Sequence, residues 1–383
     1  MRSLASQGPP VLLVTGDFVR TGGMDAANFG LARYLARFEV PLHLVAHRVA
    51  PELAVSPGVR VHRVLRPAGS SFLGGPLLNA AGRRVARKVM EAGGRVVVNG
   101  GNCDVEDVSW VHYVHAAFRA APDGGALRRA KARLAGWTYR RQERERIGRA
   151  RVVVANSERT RADLIEWMGL RADRVKVVYY GIEPTRFRPG GPEEREAMRQ
   201  ELGVADGAPL VAFVGALGDR RKGFDVLFQA WSALAARGWE GTLAVVGRGA
   251  ELERWRARAD EAERDLRIRF LGFRDDVDRI LRGSDALVSP ARYEAYGLGV
   301  QEALCCGVPA LVSARAGVSE RYPRDMRPLL IADPESPEEV ASALERWRAD
   351  QAHWKARTTE LSNELRHHTW DEMARRFLEA IAG

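Results

Sequence analysis

Two carboxylates and a lysine frame the chemistry open to this chain. Glu294 and Glu302, separated by seven residues, lie in Pro290-Ala-Arg-Tyr-Glu-Ala-Tyr-Gly-Leu-Gly-Val-Gln-Glu-Ala-Leu-Cys-Cys-Gly-Val-Pro309. The apolar run Ala286-Leu-Val-Ser289 before them reads as a short buried strand. Past Gly297 and Gly299 a helical pattern begins, with Leu298, Gln301, Glu302 and Cys305. A strand that feeds a glycine-bearing turn and then a helix makes an anion site. The first helical amides are unpaired, and glycine lets a ligand approach the backbone. Glu294 precedes that turn and Glu302 follows it, so one carboxylate can face the reacting end of a ligand and the other its distal end. A second stretch, Phe213-Val-Gly-Ala-Leu-Gly-Asp-Arg-Arg-Lys-Gly223, delivers cations to the start of a helical run at Phe224. Lys222 as a point charge and Arg221 as a planar fork suit a diphosphate leaving group, whose negative charge grows as its bond breaks. The bland readings are a strand–turn–helix corner with solvated glutamates and a solvated basic loop.

Glu294, seven residues and Glu302 resemble the E-x7-E signature of retaining GT-B glycosyltransferases. The flanking Glu294-Ala-Tyr-Gly297 and Glu302-Ala-Leu-Cys-Cys-Gly-Val-Pro309 look like glycosyltransferase family 4. That resemblance implies that Glu302 holds the ribose hydroxyls of a nucleotide donor and that Glu294 contacts the donor sugar. It also implies that the turn at Tyr296, Gly297 and Leu298 binds the diphosphate, with Lys222 on the leaving phosphate. One departure stands out: Ala216 occupies a position where many relatives carry an arginine, so the second cation is missing or comes from Arg220 or Arg221.

Three further stretches bear on the site. Thr21-Gly22-Gly23 follows the first strand; glycine there permits positive φ and a close ligand, and the resemblance places Gly23 near the donor phosphate or the acceptor. Asp25, two residues on, could accept a hydrogen bond from an acceptor hydroxyl. In Ser109-Trp-Val-His-Tyr-Val-His115 the two histidines face opposite sides of a strand, so they form no metal pair. The resemblance points to His115, at the strand's carboxyl end, as a contact for donor sugar and acceptor, and leaves His112 packed. Val245-Val-Gly-Arg-Gly-Ala-Glu-Leu252 offers the start of a dinucleotide fingerprint, but Leu252 replaces its third glycine. An NAD-dependent enzyme is thereby disfavoured, and the resemblance implies instead that Gly247 lines the nucleotide cleft.

The elements that must position these residues alternate. Apolar strand runs are expected at Val11–Val14, Leu42–Ala46, Val59–Val64, Arg95–Asn99, Ser109–His115, Arg151–Ala155 and Val175–Tyr179. In the second half they fall at Leu210–Val214, Thr242–Val246, Ile268–Leu271, Ala286–Ser289, Ala310–Val312 and Leu329–Ile331. Repeated β–α units with hydrophobic strands imply parallel sheets covered on both faces. The α/β fold expected is GT-B: two doubly wound, Rossmann-like domains facing a central cleft, with ligands at the strands' carboxyl ends. Residues 1–185 would form the acceptor-side domain and 186–369 the donor-binding domain. A charged helical segment is expected from Pro334 to about His368, and the resemblance implies that a tail helix over about 370–383 packs back on the first domain. The turn-rich Tyr180-Gly-Ile-Glu-Pro-Thr-Arg-Phe-Arg-Pro189 resembles the family's crossover between them.

A chain of 383 residues is long for one core and suits two domains. No apolar run reaches membrane-spanning length, and no signal peptide is expected before Val11. Cys103, Cys305 and Cys306 make no disulfide framework and no zinc spacing, which suits a cytoplasmic chain. Residues 1–190 carry 31 Lys and Arg against 16 Asp and Glu, and the remainder 28 against 33, so the two halves suit different partners. The basic run from Arg128 through Arg151 interleaves with Leu127, Ala130, Leu134, Trp137, Tyr139 and Ile147. Such a helix can lie on an anionic bilayer or be simply solvated; nucleic acid is not expected, because no recognised motif accompanies the charge. The reading is a retaining glycosyltransferase that takes a nucleoside-diphosphate sugar and a hydroxyl acceptor. No Asp-x-Asp motif occurs, so no metal and no other cofactor is expected. The alternative is a nucleotide-sugar-binding protein of the same fold that has lost transfer.

Overall fold

The computed structural model describes residues 8–118, 126–262 and 265–382. In chain order the elements are β1 (Val11–Val14), β2 (Asp17–Phe18), α1 (Gly23–Arg37), β3 (Leu42–Ala46), β4 (Arg48–Val49), α2 (Pro51–Ala54), β5 (Val59–Arg63), α3 (Ser71–Glu91), β6 (Arg95–Asn99), β7 (Val108–Val111), α4 (Ala126–Arg149), β8 (Val152–Ala155), α5 (Glu158–Met168) and β9 (Val175–Val177). There follow α6 (Pro192–Glu201), β10 (Leu210–Val214), α7 (Phe224–Ala236), β11 (Thr242–Val246), α8 (Leu252–Asp260), β12 (Ile268–Gly272), α9 (Val277–Gly283), β13 (Ala286–Ser289), α10 (Leu298–Cys305), β14 (Ala310–Ser313), β15 (Leu330–Ile331), α11 (Pro337–Ala349), α12 (Gln351–Arg366) and α13 (Trp370–Ala382).

Two units result. The first comprises residues 1–181 with 370–383, and the second residues 182–369, so the division falls four residues before the joint expected at 185. The first unit holds a seven-stranded sheet in the order β5-β3-β1-β6-β7-β8-β9, and the second a six-stranded sheet in the order β12-β11-β10-β13-β14-β15. Every pairing in both is parallel. The cause is legible in strands such as Leu-Val-Ala-Phe-Val and Thr-Leu-Ala-Val-Val, which are apolar on successive residues and therefore bury both faces. The pairing of β2 with β4 was not expected. The segment after Pro334 is two helices, α11 and α12, separated at Asp350, whose carboxylate caps α12 by accepting from His353 N–H at 3.3 Å.

Each sheet reverses its strand order once. In the first the reversal lies between β1 and β6, where Asn99 Nδ2 donates to Thr15 Oγ1 at 3.0 Å. In the second it lies between β10 and β13, and the loops leaving these strands carry Lys222 and Glu294. An open parallel sheet offers its ligand crevice at such a switch point, because the two loops splay to opposite sides there.

The tail helix α13 is built into the first unit. Trp370 packs over Gly30 of α1, where an added Cβ would stand 3.3 Å from the indole. Phe377 is fully buried, its ring 4.6 Å from that of Trp110 in β7. Arg37 reaches Asp371 at 2.7 Å, and Arg95 donates to the Ile381 carbonyl at 2.6 Å.

Candidate functional site

In the second unit the loop after β10 and the loop after β13 are sewn together. Arg292 N–H donates to Arg221 O at 2.7 Å, and Arg292 Nη1 to Arg220 O at 2.7 Å. The same guanidinium grips Asp225 at the start of α7 at 2.6 and 2.9 Å, and its Nε reaches Glu335 at 2.8 Å. Gly223 ends the cationic turn at φ 70°, and a Cβ there would lie 2.0 Å from the Pro290 carbonyl, so only glycine allows this approach. The consequence is that Lys222 Nζ donates to Glu294 Oε2, joining residues 72 positions apart in one ion pair. Arg292 lies inside the stretch quoted for the carboxylates, yet nothing in its spacing marked it as the clamp.

The second half of the site is the entrance to α10. Gly297 caps the helix at φ 109°, with no side-chain hydrogen bond to its first turn. Val300 and Gln301 are the first residues whose amides donate back, both to Gly297 O. By the geometry of a helix start, the Leu298 and Gly299 amides have no acceptor within the helix and are available to an anion. The loop is pinned from below by Glu294 O and Tyr296 O, which accept from Gly317 and Val318. Glu302 follows one turn into α10. Burial pushes its carboxyl up to about 8, with Arg186 pulling down and Asp278 adding a smaller rise, although part of the residue stays accessible.

Three residues expected at the site in this unit are engaged in packing or ion pairs. Tyr296 is 1% exposed and its hydroxyl donates to Gln301 Oε1, so its side chain is core and only its backbone borders the turn. Gly247 does not offer an open backbone: at φ 152° the place of its absent Cβ is 1.8 Å from the Gly215 carbonyl. Gly249 meets Leu217 O in the same way, at 1.6 Å. These glycines let the β10 and β11 loops pack backbone to backbone, which is a structural duty. Arg221 turns back on Asp219, its Nε lying 2.9 and 3.0 Å from the carboxylate oxygens. Arg220 stands 3.9 Å from Asp225, so both candidate replacements for the cation absent at the exposed Ala216 are engaged with carboxylates. A groove of about 300 Å³ between α8 and β12, lined by Arg256, Asp260, Arg269 and Phe270 among others, contains none of these groups.

In the first unit β7 ends at Val111, so His115 stands on a turn past the strand and not at its carboxyl end. The register with β8 stops at Val111–Ala155. His115 is half exposed, and its Nδ1 lies 2.8 Å from Glu143 of α4. His112 is packed as expected; burial drives its imidazole down to about 3, and its Nδ1 is 2.5 Å from Tyr180 Oη. Gly23 opens α1 in helical conformation, and it is Gly22 whose φ of 84° requires glycine. Asp25 sits in the first turn of α1 with its carboxyl raised to about 6 by burial and by Asp17, which is itself held by Arg48 at 2.7 Å and Arg66 at 3.0 Å. Among the described side chains of the basic helix, Trp137 and Tyr139 are exposed and Ile147 is buried. The side chains of Leu127, Arg128, Ala130, Lys131, Arg133 and Leu134 lie outside the described residues. No helix among the described residues is long and apolar enough to cross a membrane.

Comparison with known proteins agrees with this architecture. A sequence model described as "Glycosyl transferases group 1" matches residues 194–367, and one described as "Glycosyltransferase Family 4" matches residues 21–186. A D-inositol 3-phosphate glycosyltransferase of Corynebacterium jeikeium is 30% identical over 254 residues, 63% of this chain and 58% of that protein. One of Salinispora tropica is 28% identical over 401 residues, covering 95% of this chain and 81% of that one. The matched stretch spans only 50 to 58% of the length of the first three such relatives, all from Corynebacterium. Among solved structures, the lipopolysaccharide-biosynthesis glycosyltransferase WaaG superposes with a TM-score of 0.74 at 20% identity, covering 97% of this chain and all of that one. Sucrose-phosphate synthase from Thermosynechococcus elongatus gives 0.74 at 21% identity, with 97% and 98% covered. At these identities the structures speak for the GT-B fold. With both halves matched by their family models, the chain belongs to glycosyltransferase family 4.

Proposed function

We propose that this chain transfers a sugar from a nucleoside-diphosphate donor to a hydroxyl acceptor, with retention at the anomeric carbon and without a metal. The observation that carries the reading is the Lys222–Glu294 pair, held by Arg292 at the second sheet's switch point beside the unpaired amides of α10. A diphosphate there would draw Lys222 away from Glu294. The freed carboxylate would then accept hydrogen bonds from the donor sugar. Glu302 would take the ribose hydroxyls, and the Gly297–Leu298 turn the phosphates. Lys222 and the helix amides stabilise the charge that grows on the leaving diphosphate. No side chain is an evident nucleophile, so the departing phosphate oxygen takes the acceptor's proton on the same face. His115 and Gly23 are assigned to the donor-sugar and acceptor side.

The acceptor class takes its first candidate from the relatives named D-inositol 3-phosphate glycosyltransferases, a phosphorylated cyclitol. A structure of the Anabaena protein HepE, 17% identical, was solved with UDP-glucose, which makes UDP-sugars the first donors to try. Lys222→Ala is expected to lower donor turnover at least about 100-fold, as loss of a charge-stabilising group does, and Glu302→Ala to lower it at least about tenfold through weaker donor binding, as loss of hydrogen bonds to a charged group does, with EDTA leaving the parent unchanged. Near-parental rates in both variants would remove the site assignment. The second reading, binding without transfer, is favoured by Ala216 and by the engagement of Arg221 with Asp219. Calorimetric binding of a nucleotide sugar with neither transfer nor hydrolysis would select it.

A further inference from the structure

We propose that Glu143 is the positioning residue for His115, fixing its imidazole in the Nδ1–H tautomer with Nε2 turned outward. This rests on the assignment of His115 to the donor-sugar and acceptor side. Because β7 ends at Val111, no strand ladder orients His115, and its side chain is 52% exposed. An imidazole on such a turn would sample several rotamers. Glu143 removes that freedom. Its side chain is 8% exposed and comes from α4, 28 residues further along the chain. One carboxylate addresses His115 twice: it accepts from the backbone N–H, at 3.1 Å to Oε2 and 3.4 Å to Oε1, and it meets ring Nδ1 at 2.8 Å.

An ionised carboxylate can only accept, so Nδ1 must carry the proton. The neutral ring then keeps its lone pair at Nε2, the nitrogen directed away from Glu143. Tyr113 meets the ring edge-on at 4.6 Å, and Tyr139 lies nearly parallel to it at 6.1 Å, which limits rotation further. No arginine or lysine among the described residues pairs with Glu143; each of its polar contacts goes to His115. Burying a carboxylate is costly unless its bonds compensate, so a carboxylate spent wholly on one exposed histidine points to control of that histidine. A purely structural role, capping the turn through the backbone N–H, would need no bond to the ring.

The test separates these. Nitrogen-15 spectra of histidine-labelled full-length protein, with His115 identified by its loss in His115→Asn, report the tautomer without any ligand. The parent is expected to show Nδ1–H, and Glu143→Ala a mixture with Nε2–H. Kinetics use whichever member of a panel of UDP-, GDP- and ADP-sugars the parent hydrolyses fastest. Glu143→Ala is expected to lose about 10–100-fold in kcat, the range seen when an orienting partner is removed, with donor KM changed less than about threefold. Glu143→Gln, whose amide oxygen still accepts from Nδ1–H, should recover most of that loss and guards against misfolding of the alanine variant. An unchanged tautomer, or parental kcat in both Glu143 variants while His115→Ala loses activity, overturns the proposal and leaves the transferase reading intact. Full turnover in His115→Ala instead overturns the assignment of His115 itself.

Discussion

Glu302 is the residue whose protonation would tie stability to the donor binding proposed for it. Burial raises its carboxyl from an ordinary value of 4.5 to about 8. Between those limits the unfolded chain has released a proton that the folded chain retains. The stability linked to this group is therefore complete below about pH 4.5 and declines as pH rises towards about 8. Glu302→Gln removes the titration. Its melting temperature should gain on the parent's as pH is raised through that window, and a constant difference by calorimetry would count against the burial. The same group should gate the donor. A ribose diol donates hydrogen bonds, so it needs the carboxylate and not the acid. Affinity of the parent for a nucleotide sugar should rise as pH increases through about 6.5 to 8.5, by at most about tenfold per unit, while Glu302→Gln stays flat. Tyr296 belongs to this scale as a caution: it stands two residues from Glu294, but its ring is core.

At the scale of elements, the glycines divide by what occupies the space of their missing side chain. Gly299, in the first turn of α10, would place a Cβ 3.9 Å from Val214, an ordinary contact. Gly299→Ala should therefore keep or gain stability, by up to about 1 kcal/mol from helix propensity. It should also weaken nucleotide-sugar binding by about tenfold, because residue 299 carries one of the amides proposed for the phosphates and a side chain there narrows a ligand's approach to the backbone. Gly247→Ala should do the reverse of a local change: its strained φ costs about 1–3 kcal/mol before the clash with Gly215 O is counted. Thermal melts and titration calorimetry on the pair decide the matter, and equal stability losses would mean the α10 turn is not open. This division was not legible in the sequence, where Gly247 and Gly299 look alike. What was legible follows from burial on both faces. Arg95–Asn99, Leu210–Val214, Thr242–Val246 and Ala286–Ser289 have the bounds expected from the apolar runs at their centres. The strand drawn through to His115 ran too far because the residue pattern continues through Tyr113-Val-His115 beyond the point where the register with β8 ends, at Val111–Ala155. Arg292 and Glu143 went unnoticed for a different reason. In a chain so rich in charge, a clamp and a solvated side chain have the same letter.

At the scale of the whole molecule, the second unit is an insertion between Gly181 and Trp370, and the first unit is completed only when the chain returns as α13. Among the described residues each unit forms hydrophobic clusters of its own. In the first, Leu12, Val14, Val96 and Val98 form one cluster and Val111, Val153 and Leu164 another; in the second, Phe213, Trp231, Val288 and Trp347 lie in one large cluster. Phe377 therefore tests how far cooperativity extends. Its ring is fully buried against Trp110, and Phe377→Ala leaves a cavity worth about 3–5 kcal/mol. If each core stands by itself, hydrogen exchange should accelerate in β7, β8 and α1, while amides of β10, β11 and β13 keep their protection. Equal acceleration in both sheets would mean that the chain unfolds as one cooperative body.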